Sequence, residues 1–64
     1  MFVLLTEKAG KNNVLVNMNN IDYIKEYKDG DVVVFVKGKQ ITVEESLEEL
    51  ENILSRKGVC YVRE

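Results

Sequence analysis

The sequence predicts an α+β fold: a small antiparallel β-sheet, or a partly closed barrel, of five to six strands with one C-terminal amphipathic helix. Three observations predict it. Short Val- and Leu-rich runs recur through residues 2–43, each ended by a pause at Gly10, Gly30 or Gly38. Asp29-Gly30 is a strong hairpin dipeptide, because both central positions of the tightest hairpin turn need positive φ. Only residues 43–57 carry the spacing of a long helix. With 64 residues the chain has room for a single domain, 1–64, and one small core.

Residues 2–6 and 13–17 read as the first two strands, flanking a turn at Lys8-Ala9-Gly10-Lys11. Met18, Ile21 and Ile24 fit helical spacing, so Asn17 to Asn20 reads as a helical turn leading into the third strand. Residues 21–28, 31–37 and 40–43 follow as strands three to five. Thr42-Val43-Glu44-Glu45 offers a capping box, in which the hydroxyl and the carboxylate satisfy free N–H groups reciprocally. Leu47, Leu50, Ile53 and Leu54 then form one apolar stripe, opposite Glu44, Glu45, Glu48 and Glu51. Arg56 and Lys57 suit the negative end of the helix, Gly58 stops it, and Val59-Cys60-Tyr61-Val62 reads as a short closing strand.

The turns assign the faces. A two-residue loop at Asp29-Gly30 sets Lys28 opposite Asp31, Ile24 opposite Phe35 and Tyr23 opposite Val36. A Gly38-Lys39 loop sets Val36 opposite Ile41 and Val34 opposite Val43. Tyr23, Tyr27, Val32, Val34, Val36, Ile41 and Val43 then share a core face, with Lys25 turned inward as the misfit. Ile24, Val33 and Phe35 point outward, with Lys37 and Thr42 at their margin. One helix covers one face of a sheet, so the outward trio requires closure into a barrel or a partner. Those five residues are the candidate interface. Tyr23, Lys25, Tyr27, Phe35 and Lys37 together have the aromatic and basic composition of single-strand binders, but this register splits them between faces.

Catalysis is not expected. There is no histidine, and Ser46 and Ser55 fall on the helix with no base to activate them. A single cysteine excludes an intrachain disulfide and Cys/His zinc patterns, and Cys60 between Val59 and Tyr61 reads as a core thiol. Five glutamates between Glu44 and Glu51 read as a solvated helix face, since they lack the bent loop of a calcium site. Gly10-Lys11 and Gly38-Lys39 lack the further glycines of a phosphate loop. No cofactor and no metal are expected.

No run approaches the roughly 20 apolar residues of a membrane span, and Met1 to Leu5 is too short for a signal peptide, so a cytoplasmic address is expected. The net charge of −2 is uneven: residues 1–40 hold six lysines against five acids, residues 41–64 three basic groups against six acids. A pI near 5.1 disfavours a large phosphate-binding stripe.

Leu5-Thr6, Gly10-Lys11, Asn17, Ile21, Ile24, Glu26, Val32 to Val36, Gly38-Lys39 and Glu45-Ser46 together resemble the flagellar FlbD family of small swarming-motility proteins. That resemblance implies a non-enzymatic cytoplasmic role in motility. Ile21-Asp22-Tyr23-Ile24, Val33-Val34, Gly38-Lys39, Ser46-Leu47-Glu48-Glu49-Leu50 and Cys60-Tyr61-Val62-Arg63 are similar to the first half of a LytTR DNA-binding domain. That second likeness implies a nucleic-acid-binding or transcription accessory module. The leading expectation is a protein-binding module, docking a partner or a second copy as a homo-oligomer through its open sheet face. The alternatives are the LytTR-like role and a small acidic inhibitor of the phage type.

Overall fold

Two short apolar runs, Phe2 to Leu5 and Val14 to Val16, build the first hairpin, and their burial alternates along each strand. In a computed structural model, which describes residues 1–56, β1 (Phe2–Thr6) pairs antiparallel with β2 (Asn13–Asn17). Val3 lies opposite Val16 and Leu5 opposite Val14 on the inner face, while Leu4 lies opposite Leu15 on the outer face. The Glu7 N–H donates to the Asn12 carbonyl at 2.7 Å, closing the turn at the residues the sequence marks for it. The expected helical turn is present as a single 3₁₀ turn, Met18–Asn20, whose entry is capped by the Asn17 side chain accepting from the Asn19 N–H at 3.0 Å. It delivers the Met18 side chain into the core.

The second sheet has the order β3-β4-β5, formed by β3 (Ile21–Glu26), β4 (Val32–Val36) and β5 (Lys39–Val43). Its first hairpin corrects the expected register. The Tyr27 N–H donates to the Asp31 carbonyl and the Gly30 N–H to the Tyr27 carbonyl, so the loop is the three residues Lys28, Asp29 and Gly30. Gly30 takes φ +95, as the left-handed residue of such a loop does. The Asp29 carboxylate accepts from the Asp31 N–H at 2.9 Å and holds the turn. One extra loop residue moves the pairing by one, and a one-residue slip reverses the faces of a strand. Tyr23 therefore lies opposite Phe35, Ile24 opposite Val34 and Lys25 opposite Val33. A bulge between Ile21 and Tyr23 leaves Asp22 as the extra residue, and lets both Ile21 and Ile24 pack against the core.

The hydrophobic pattern explains this choice. The two-residue loop would turn the Lys25 ammonium inward, and burying a charge without a partner is costly. The observed loop instead turns Lys25 out and Ile24 in. At the next hairpin the loop is Lys37-Gly38, both with positive φ, rather than Gly38-Lys39. Val34 lies opposite Ile41 and Val32 opposite Val43, a two-residue difference that preserves the expected faces of β4 and β5.

The two sheets meet at the ends of β1 and β5. The Lys8 N–H donates to the Thr42 carbonyl at 2.8 Å, the Glu44 N–H to the Thr6 carbonyl at 2.9 Å, and Glu7 bridges Val43. The sheets do not close into a barrel. Between them lies one core of Val3, Leu5, Val16, Met18, Val32, Val34, Val43 and Leu50.

The helix α1 (Leu47–Arg56) starts one turn later than the Thr42 capping box predicts. Ser46 is its N-cap: the Glu49 N–H donates to Ser46 Oγ at 3.1 Å, and the Glu49 carboxylate accepts from the Ser46 N–H at 3.4 Å. Glu45, freed from that task, accepts from the Thr6 N–H through both carboxylate oxygens and ties the helix entry to β1. Leu50 is 2% exposed and Ile53 and Leu54 pack against the same core, whereas Leu47, the first residue of the expected stripe, is half-buried and does not join it. Gly58 and the expected strand Val59-Cys60-Tyr61-Val62 lie outside the described residues.

Candidate nucleic-acid interface

Strand parity decides what the outer face of β3-β4-β5 displays. From β3 it carries Tyr23 and Lys25, with Tyr27 just beyond the strand; from β4, Val33 and Phe35; from β5, Gln40 and Thr42. The register thus unites the aromatic and basic residues that the two-residue loop would have separated. Tyr23 and Phe35 are direct cross-strand neighbours, and their rings stack at 4.3 Å between centroids with 21° between planes. Such a pair is worth about 0.5–1.5 kcal/mol beyond its buried area. Phe35 is half-buried, whereas Tyr23 remains 56% exposed. Lys25 Nζ stands 5.0 Å from the centre of the Tyr27 ring, within cation–π range.

Of the five expected interface residues, three lie on this face and Lys37 has moved into the turn beside it. Val33 lies on the outer face though its side chain is covered, Phe35 and Thr42 are half-buried there, and Lys37 occupies the adjoining turn at φ 47. Ile24 is the correction, since it packs against the core, and Tyr23 takes its position outside. The turn dipeptide alone does not reveal Tyr23, Lys25 and Tyr27 as outward residues. The inward lysine is the signal that the register has to change.

The lysines divide into two sets. Lys8 is held by the Asp31 carboxylate, whose hydrogen bond and charge raise the ammonium above its ordinary pKa, and Lys11 lies 3.5 Å from Glu44. Lys25, Lys28, Lys37 and Lys39 form no ion pair among the described residues. Glu26, Asp31, Glu44 and Glu45 line a cleft at the Lys8 end of the sheet, where Lys8, Lys11 and the Thr6 N–H engage three of them. Among the described residues no cluster of acidic or thiol side chains is arranged to hold a metal ion, and no helix is long and apolar enough to cross a membrane.

A two-sheet α+β domain, with its helix beside the core and a face of aromatic rings and lysine that remains partly exposed among the described residues, is the class that these features define. The model of the LytTr DNA-binding domain family matches residues 11–61, and the chain belongs to that family. The matched span contains the whole aromatic face. No curated protein matches the chain, and no solved structure does. The family match overturns the flagellar and motility assignment, and with it protein binding and homo-oligomer formation as the leading role: it points to nucleic acid.

Proposed function

We propose that this chain is a non-catalytic nucleic-acid-binding module of the DNA-binding class, and that it contacts its target through the outer face of β3-β4-β5. Membership of the LytTR family is the observation that carries this reading. Support for the location comes from charge. Lys25, with Lys28 and Lys37 in the two loops and Lys39 at the start of β5, are free of internal ion pairs among the described residues and can meet phosphates without first breaking one. A cytoplasmic address is the compartment that such a target implies.

Fluorescence anisotropy of a short labelled DNA oligonucleotide at increasing salt tests the reading. Binding should weaken steeply with salt, and replacing Lys25 or Lys37 by Ala should flatten the log–log slope by about 0.7–0.9 for each phosphate that the lysine neutralises. Absence of binding to any DNA at low salt would refute it.

A further inference from the structure

The turn that carries Lys28 is acidic when taken alone. Lys28, Asp29 and Gly30 form the loop and Asp31 follows it, which sets one cation against two carboxylates. Such a balance repels phosphates, whose binding rests on cations that neutralise them. The first hairpin corrects it from the other sheet. Lys8, from the turn between β1 and β2, donates through its ammonium to the Asp31 carboxylate, 23 residues further along the chain. Glu44 and Asp29 add to the negative field at that ammonium. The Lys8 backbone is itself part of the sheet junction, since its N–H donates to the Thr42 carbonyl at 2.8 Å. Asp29 is turned into the loop, where its carboxylate accepts from the Asp31 N–H at 2.9 Å. Lys28 is left as the cation of the turn with no ion pair among the described residues.

The Lys8 and Asp31 side chains are 54% and 36% exposed, and an ion pair that exposed adds little to stability. Its charge acts instead on whatever approaches Lys28. On the proposed nucleic-acid reading, we infer that Lys8 is a positioning residue of the DNA-binding face: it cancels the Asp31 charge so that Lys28 can approach a phosphate, while Lys8 itself stays on Asp31 and touches no DNA.

The test is fluorescence anisotropy of the full chain with a labelled mixed-sequence DNA duplex, at about 0.1 M salt, where charges beyond about 10 Å are largely screened. Lys8→Ala leaves Asp31 bare and should weaken binding by about threefold or more, the scale on which one unit charge acts near a protein surface. Its thermal melting curve should stay close to that of the unsubstituted chain. Lys8→Arg keeps the charge and should bind as the unsubstituted chain does. Lys8→Ala combined with Asp31→Asn removes both charges, and should restore the original affinity with the original salt slope. Leu15→Glu adds the same negative charge on the outer face of the first hairpin, and should change affinity by less than about twofold.

A double variant that stays as weak as Lys8→Ala would overturn the inference, and a salt slope smaller by about 0.9 would then put Lys8 on a phosphate. Lys8→Ala binding at the original strength, or Leu15→Glu weakening it equally, would overturn it too, and in each case the nucleic-acid reading stands. No binding by the unsubstituted chain would remove both.

Discussion

The molecule exposes two sheet faces on opposite sides of one core, and they differ in kind. The outer face of β1-β2 shows Phe2, Leu4 and Leu15, each more than half exposed, beside Thr6, Asn13 and Asn17, with no lysine. The outer face of β3-β4-β5 shows a stacked aromatic pair and a lysine that contacts a third ring. Both faces are apolar, so hydrophobic exposure alone does not separate them. Charge and ring geometry do. The first hairpin's face holds a single ring, Phe2, and its strands offer no cation, whereas the second sheet stacks Tyr23 on Phe35 and sets Lys25 by the Tyr27 ring. The family match begins at Lys11 and so contains all of the second face but only the β2 half of the first.

The largest expected effect lies between the faces. Leu50 reaches the core that both sheets share, and Leu50→Ala should destabilise the chain by about 2–5 kcal/mol in denaturant titration. That is a large fraction of the roughly 5–15 kcal/mol available to a folded domain. A loss well under about 1 kcal/mol would mean that the helix does not seal the core.

On the two faces themselves the stability effects are smaller, and their function sets them apart. Leu15→Thr, on the first hairpin, should change stability by no more than about 0.5 kcal/mol and leave DNA affinity unchanged. Weakened DNA binding in Leu15→Thr would move the interface to the other side of the molecule.

Much of the fold is legible in residue pattern. Residues 2–6 and 13–17 are short Val- and Leu-rich runs flanking Lys8-Ala9-Gly10-Lys11, so their strands, and the turn between them, follow directly. Leu50 is legible as the centre of the helix stripe. The site is not, because it depends on one loop residue. Asp29-Gly30 fits a two-residue loop and also the last two positions of a three-residue one, and only tertiary burial chooses between them. The cost of an inward Lys25 holds the answer, but a turn dipeptide is the louder local signal. The junction of β1 with β5 has no local signature, since Thr6, Lys8, Thr42 and Glu44 meet there through backbone groups. The capping box shifts for a related reason: Thr42 to Glu45 and Ser46 to Glu49 both satisfy the pattern, and Glu45 is drawn away to the Thr6 N–H.

Which face meets nucleic acid is the central claim, and amide chemical-shift mapping tests it most directly. Titration of the isotope-labelled chain with a short DNA oligonucleotide should shift Tyr23, Lys25, Phe35 and Lys37 together, and leave Leu4 and Leu15 in place. Shifts centred on Leu4 and Leu15, with Tyr23 and Phe35 unmoved, would contradict the account.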